Sequence, residues 1–554
     1  MNRGLNDCRS RTRTLWNPMF RRDFLKVTTT LTGGGLVLGA DALSHPSHGR
    51  AGETDRGEPR APIAPRGTRR IMYCSDPSSV AKHILPDPVK PDDLRSWVGT
   101  LADNGVDLLV QDVYNQGYTV YWRSERFQYD QREQHRRFLS MLDAGIQPLQ
   151  VLLDLSHERD MAFLAGFRMN DTHDFPVYAD FIESHPEWHL KDWPRKVKGY
   201  QSGRPLDFTF DEVRDFTFEV MKEVVNRFDV DGLDMTFRNP GYFPFPHGRE
   251  RAHLMTRLMR RLRALLDDLS PSRGKRILLG ARVFSTLEEC LDMGLDVPTW
   301  IAEGLIDYVS PEDVHYSDFN APYAEFGALT RDSHCLMYPA LHPFISIRKR
   351  RLQKSAMTPA NYRALARTFY AAGADGICFF NHFDPKVFSV FQELRDPGKV
   401  IRNERHYVFD PTWEWLAKPP PFGLDRTITG AVKVQRVLLD RNATNPSGVY
   451  LFRLYEQMDR VGGVTLRLSG NLTQNDKLEI QLNGVPLSTG RKPDQWPDSP
   501  PGSSVDPQTI RWLPVPSTAM AYGKNRLSIT LTRSDPQVTG QLVIDEVQVW
   551  VQPS

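Results

Sequence analysis

The chain has 554 residues, 40% of them hydrophobic and 25% charged, with a formal net charge of +2. These values exclude a wholly disordered chain, a collagen and a coiled-coil rod, and a balance this close to neutral does not steer a protein onto nucleic acid. No apolar run reaches the about 18 residues of a membrane-spanning helix, and five scattered cysteines make neither a disulfide framework nor a zinc cage.

The first forty residues read as an address. Arg21-Arg22-Asp23-Phe24-Leu25-Lys26 carries both arginines, the phenylalanine, the leucine and the lysine of the bacterial twin-arginine export motif. A short, mildly apolar stretch, Val27 to Gly39, and an A-x-A site at Ala40-Asp41-Ala42 follow. The expectation is a signal peptide over 1–42, recognised by the twin-arginine export machinery, and a periplasmic or secreted protein with no stable membrane span. Its removal leaves 63 basic against 65 acidic side chains, so the slight basicity belongs to the address. Twin-arginine export carries folded proteins, which suits Cys74, Cys335 and Cys378 as small hydrophobes inside apolar runs. Residues 43–68 have no periodic apolar pattern and read as a disordered linker.

From residue 69 short apolar runs alternate with amphipathic stretches, which indicates βα units and a parallel sheet. Eight runs are predicted strands: 70–74, 106–114, 161–168, 232–238, 277–284, 306–310, 335–341 and 375–380. Leu254, Leu258, Leu262, Leu265 and Leu269 predict a helix over 249–269, with the arginines at 257, 260, 261 and 263 on a solvated face. Eight such units over 69–417 make an α/β fold, a (β/α)8 TIM barrel. Asp231-Gly232 and Asp375-Gly376 open the fourth and eighth strands alike, a hint of a half-barrel repeat. Lys418-Pro-Pro-Pro421 reads as a stiff linker. Beyond it the apolar period changes to two and Asn483-Gly484 signals a hairpin. Residues 425–554 are therefore expected to form an all-β, jelly-roll-like sandwich packed on the barrel.

In a barrel of this kind chemistry gathers at the C-terminal strand ends. The polar residues falling there are Asp76, Asp112, Asn115, Arg168, Asn170, Asp171, Thr172, His173, Asp174, Asp234, Thr236, Arg238, Asn239, Arg282, Glu312, Asp313, His315, Tyr338, His342, Asn381, His382 and Asp384. Strand four is the most informative. Side chains alternate, so Asp234, Thr236 and Arg238 share one face and Leu233, Met235 and Phe237 the other. The apolar set must pack under helices, which points the polar set into the barrel. A carboxylate there needs a partner, and Arg168, Arg238 and Arg282 are the candidates. It is either a structural ion pair or an acid or nucleophile tuned by the cavity.

Asp171 and His173 could ligate a metal, but no H-x-H strand or paired-histidine helix accompanies them. There is no G-x-S-x-G, P-loop or dinucleotide fingerprint, and no cofactor is expected. Aromatics are frequent near the strand ends (Tyr114, Tyr118, Tyr121, Trp122, Trp188, Trp193, Tyr242, Phe243 and Phe245). They modestly favour a carbohydrate groove, since sugar rings have apolar faces that stack on such side chains.

The runs Gly166-Phe-Arg-Met-Asn-Asp-Thr-His-Asp174, Asp231-Gly-Leu-Asp-Met-Thr-Phe-Arg238-Asn-Pro-Gly-Tyr-Phe243 and Gly373-Ala-Asp-Gly376 resemble those of exported bacterial barrels known as family-10-like glycosyl hydrolases. The resemblance covers roughly residues 70–400 and not the sandwich. Such relatives typically carry D-G-L-E-L-D-F-x-R-H at strand four. Here Asp234 stands for the glutamate, Thr236 for the second aspartate and Asn239 for the histidine. The strand is also similar to the D-G-x-D-x-D-x-E of chitinase-type barrels, with Thr236 and Arg238 in place of its last two acids.

The resemblance implies a glycoside hydrolase-like protein acting on a poly- or oligosaccharide through two carboxylates at the barrel mouth. The candidates are Asp234 with Asp171, Glu312 or Asp313, and Arg168, Asn170, His173, Arg238, Arg282, Tyr338 and His382 are expected to contact substrate. The alternatives are a non-catalytic carbohydrate-binding barrel that has lost an acid, which Thr236 favours, and a metal-dependent hydrolase.

Overall fold

The computed structural model describes residues 67–114, 116–171, 179–191, 205–237, 241–244, 246–312, 317–346, 354–409, 436–497 and 509–554. The export motif, most of the linker, the proline run, the candidates Asn115, Thr172, His173, Asp174, Arg238, Asn239, Asp313 and His315, and the aromatics Trp193 and Phe245 lie outside these residues.

The predicted apolar runs become strands. They are β1 (Ile71–Ser75), β2 (Leu108–Tyr114), β3 (Ala162–Arg168), β4 (Gly232–Thr236), β5 (Leu278–Phe284), β6 (Tyr308–Glu312), β7 (Leu336–Met337) and β8 (Ala340–Leu341). A short antiparallel hairpin, β9 (Phe344–Ser346) and β10 (Lys354–Ala356), precedes β11 (Ile377–Phe380). The parallel sheet runs β7-β6-β5-β4-β3-β2-β1-β11-β8. β7 and β8 are the two halves of the seventh predicted run, parted at Tyr338-Pro339. One half pairs with β6 and the other with β11, so this run closes the barrel and strand order follows chain order. Pro339 has no N–H for the ladder, but its carbonyl still accepts from the Cys378 N–H at 3.0 Å.

The hinted half-barrel repeat is fourfold. Asp107, Asp231, Asp307 and Asp375 each stand just before an even strand of the eight. Their carboxylates accept from the N–H of Ile71, Phe163, Leu279 and Met337 at 2.9, 2.7, 2.7 and 2.9 Å. Each aspartate N–H donates back to the carbonyl of the same residue. Every second strand start is thereby tied to its neighbour by a two-point clasp. The helix after β4 runs Gly248–Arg273. Arg260 and Arg261 face solvent on it, paired with Glu303 and Asp215. Arg263 departs from the expected solvated face: it is buried and donates to Asp307 and to the Ile277 carbonyl, both at 2.9 Å.

The C-terminal region is antiparallel throughout. Its strands are β12 (Arg405–Phe409), β13 (Val437–Asp440), β14 (Ser447–Leu454), β15 (Val461–Gly470), β16 (Lys477–Leu482), β17 (Val485–Leu487), β18 (Ile510–Pro514), β19 (Gly523–Arg533) and β20 (Gln541–Pro553). One sheet runs β12-β20-β15-β18 with β13 also on β20, the other β14-β19-β16-β17. They face each other through Phe409 on Phe452, ring centroids 5.1 Å apart. Asn483 and Gly484, at φ 52° and 85°, make the expected two-residue turn between β16 and β17. β12 falls within the stretch 69–417 read as barrel, but it pairs with β20, so the sandwich recruits a strand ahead of the proline run. The sandwich docks on the barrel. The Arg453 N–H donates to Asn320 Oδ1 at 2.9 Å, and Asn361 Nδ2 donates to the His406 carbonyl at 2.7 Å. Among the described residues no helix is long and apolar enough to cross a membrane.

Candidate active site

The barrel interior is built in layers. Its floor is apolar, with Met72, Leu108, Val110, Leu164, Leu336 and Phe380 among its residues. One layer up, Asp112, Gly166, Asp234, Gly280 and Tyr308 are successive register partners across β2 to β6. The glycines on β3 and β5 are what let the even strands fill this layer. A Cβ at Gly166 would lie 2.5 Å from Asp112 Oδ1, and one at Gly280 would lie 1.9 Å from Tyr308 Cζ. In the next layer Arg168, Thr236, Arg282 and Ser310 are partners, and here the odd strands supply the long side chains. This is the alternate-strand filling of a TIM barrel, with polar residues in place of branched aliphatics.

Asp234 faces the interior as its parity predicts, and Arg282 is its arginine. Arg282 Nε donates to Asp234 Oδ1 at 3.1 Å and to Thr236 Oγ1 at 3.0 Å. The Thr236 hydroxyl donates to Asp234 Oδ1 at 3.0 Å and the Tyr308 hydroxyl to Oδ2 at 2.6 Å. Both oxygens of Asp234 are thereby occupied by protein donors. The same guanidinium lies 3.8 Å from Asp112 and 3.9 Å from Glu312, with its carbon 4.9 Å from the Phe380 ring centroid. Carboxylates that share one guanidinium fork are held within about 10 Å of each other, the range of glycosidase acid–base pairs.

A second guanidinium sits beside the first. Arg168 pairs with Asp171 and reaches Asp76 at 3.4 Å and Asp112 at 3.9 Å. Five buried carboxylates, Asp76, Asp112, Asp171, Asp234 and Glu312, thus face two arginines. Burial alone would raise Asp76, yet Arg168 and Arg132 beside it hold it below the usual carboxylate range. Asp112 goes the other way. Neither of its oxygens has a hydrogen-bond partner, and burial pushes its carboxyl up to about 7. Arg282 and Arg168 oppose that rise, and Asp76 and Asp234 add to it.

Several expected contacts lie elsewhere. Asn170, at φ 53°, exchanges hydrogen bonds with the Leu206 N–H and carbonyl at 2.9 and 2.8 Å, so it fastens a neighbouring segment. Tyr338 donates its hydroxyl to the Arg69 carbonyl at 3.0 Å, toward the end of the barrel where β1 begins and away from the mouth. His382 closes β11 at the mouth, apart from the arginine cluster, with its ring against Tyr362, Phe379 and Phe391. Tyr114, Tyr118, Tyr121, Trp122, Trp188, Tyr242 and Phe243 are all buried, so they pack as core rather than line an aromatic groove. Among the described residues no group of three or more His, Cys, Asp or Glu could hold a metal ion.

Sequence reasoning placed Asp112 at a strand end but gave it no role, and it did not single out Tyr308, the donor to Asp234. The signal for them is the G-x-R of Gly166-Phe-Arg168 and Gly280-Ala-Arg282. A glycine two residues below an inward arginine on two odd strands leaves room for long polar side chains on the even ones.

Residues 78–247 match the family model described as "Glycosyl hydrolase-like 10". This stretch, just under a third of the chain, includes β2, β3 and β4 and with them Asp112, Arg168, Asp171 and Asp234. No protein of curated function matches the chain by sequence. Among solved structures it is similar to alpha-L-fucosidase isoenzyme 2 from Paenibacillus thiaminolyticus, at 12% identity over 61% of this chain and 51% of that one, with a TM-score of 0.40. It is also similar to an endo-1,4-beta-mannanase from Rhizomucor miehei, at 10% identity over 60% of this chain and 94% of that one, TM-score 0.40. An alpha-amylase from Lactobacillus plantarum follows at 11% identity over 84% and 99%, TM-score 0.38. The chain spans about half the length of the fucosidase. The barrel segment 78–247 is glycosyl-hydrolase-like.

Proposed function

We propose that the protein is an exported glycoside hydrolase that cleaves a poly- or oligosaccharide with two carboxylates of the barrel interior. Asp112 serves as the acid and Glu312 as the base or nucleophile. The observation that carries this reading is Asp112, a carboxyl raised to about 7 that shares the Arg282 guanidinium with Glu312 and Asp234. A carboxyl protonated near neutrality beside carboxylates held by arginine is the division of roles that glycoside hydrolysis needs. Asp234, with both oxygens occupied, positions Arg282 and does not itself react. Thr236, in the place of an acid, helps hold the same guanidinium. The Arg21-Arg22 motif supports export.

The test is release of reducing ends from a panel of glycans by the full mature chain. Asp112→Asn and Glu312→Gln should each lower turnover by about 100- to 10,000-fold, with the thermal midpoint kept within a few degrees of wild type. Full activity in Asp112→Asn would overturn the assignment. Binding without turnover is the second reading, and one observation favours it: Asp112, Asp234 and Arg282 are each 0% exposed. Glycan affinity with no product from the wild-type protein would be its signature.

A further inference from the structure

Away from the arginine cluster, a groove of about 720 Å³ lies at the mouth beside the C-terminal end of β11, between the helix that follows β1 and the base of the β9–β10 hairpin. It gathers buried polar atoms that the protein leaves without hydrogen bonds. Tyr362 and His382, each 1% exposed, line it, and neither the Tyr362 hydroxyl nor either ring nitrogen of His382 makes a well-formed hydrogen bond. The Phe380 carbonyl approaches the His382 ring, but burial dominates and pushes this histidine down to about 3, so it is neutral. Asn381 Oδ1, also buried and without a partner, completes the set. The large majority of buried side-chain polar atoms are hydrogen-bonded, so three such side chains around one groove need an explanation.

The rest of the lining narrows the ligand. His83 and Phe383 stack at 5.6 Å with a 23° tilt, and Phe344 and Met357 add apolar wall. Among the described lining residues there is no lysine or arginine. The one carboxylate, Asp384, is engaged through Oδ1 as the cap of the following helix, accepting from the Lys386 N–H at 3.0 Å. A sugar hydroxyl both donates and accepts. It suits an amide oxygen, a phenol and a neutral imidazole with one donor and one acceptor nitrogen. A uronate or sulfated unit would meet no cation among these residues and would face Asp384.

We propose that this groove seats an uncharged sugar residue, whose hydroxyls pair with Tyr362, Asn381 and His382 while the His83–Phe383 pair covers its apolar face. This rests on the carbohydrate reading above and deepens it by naming the class of unit recognised.

The experiment is calorimetric titration of the full mature chain with cello-, manno-, malto- and xylohexaose, and with oligogalacturonate as the charged probe. Tyr362→Phe removes only the hydroxyl. Asn381→Gly removes the amide while suiting the left-handed backbone at φ 59°. Each variant is expected to weaken binding of a neutral hexaose about three- to tenfold. Neither should lower the thermal midpoint, because the atom removed had no protein partner to lose. Unchanged affinity in both variants, a lowered midpoint in both, or preferential binding of oligogalacturonate would overturn the groove assignment while leaving the carbohydrate reading standing. No binding of any probe would overturn both.

Discussion

Tyr308 on β6 and Asp234 on β4 are not on neighbouring strands, yet the Tyr308 hydroxyl donates to Asp234 Oδ2 at 2.6 Å. The phenol crosses β5 over Gly280, the register partner of both residues. A Cβ at that position would sit 1.9 Å from Tyr308 Cζ. Gly280→Ala should therefore displace the tyrosine and cost about 1–3 kcal/mol by overpacking. Tyr308→Phe should cost about 1–3 kcal/mol by leaving Asp234 short of a donor. Since both changes break the same bond, the double variant should lose clearly less than the two losses combined. Urea unfolding of the three variants checks this, and additive losses would show that Gly280 does not act through Tyr308.

Asp112 makes stability pH-dependent in a direction unusual for an aspartate. Its carboxyl is raised from about 4 in the unfolded chain to about 7 in the fold, so the native state holds the proton more tightly. The stabilisation is complete below pH 4 and is lost as pH rises through about 7. Asp112→Asn cannot ionise. Its stability relative to wild type should rise by about 4 kcal/mol between pH 4 and pH 8. Denaturant unfolding at a series of pH values measures the difference curve, and a flat one would mean that Asp112 is ionised in the fold.

Three buried histidines act with the opposite sign. Burial pushes His135 down to about 4, His406 to about 4 and His382 to about 3. Asp130 and Asp76 oppose the fall at His135 and Arg132 adds to it. Gln548 opposes it at His406 and Arg467 adds to it. All three are neutral in the fold and take up protons on unfolding below about pH 6.5. Their stabilisation is present above that pH and drains away as pH falls toward 4, and this loss from three groups outweighs the gain from the single carboxyl of Asp112 over the same window. Net stability should therefore fall on acidification from pH 6.5 to 4. Constant stability across that window would show that the histidines ionise in place.

The fourfold clasp is unequal in depth, and so should be its contribution. Asp307 is fully buried and takes Arg263 at 2.9 Å, Arg276 at 2.7 Å and the Leu279 N–H at 2.7 Å. Asp307→Ala strands two cations and a backbone donor, and should cost about 3–5 kcal/mol. Arg260→Ala, which breaks an exposed pair with Glu303, should cost no more than about 1 kcal/mol. Comparable losses in the two variants would remove the argument that the clasp organises the barrel.

The local pattern of the chain was enough to locate the eight barrel strands, the inward face of β4 and the Asn483-Gly484 turn. Each follows from a backbone rule that acts within a few residues: strand alternation for Leu233, Asp234, Met235 and Thr236, and positive φ for the turn. The same alternation, with the need to pair a buried carboxylate, reduced the partners of Asp234 to three arginines. Only the tertiary structure selected Arg282, because the choice depends on register across β4 and β5. It also separated Asp234, whose oxygens are occupied, from Asp112, whose oxygens are not, although both are inward aspartates on even strands. Within the strands, Thr236 two residues on gives Asp234 one hydroxyl donor that Asp112 lacks. The rest of the difference comes from Tyr308 reaching over Gly280 to one carboxylate while Gly166, beside the other, offers no side chain at all.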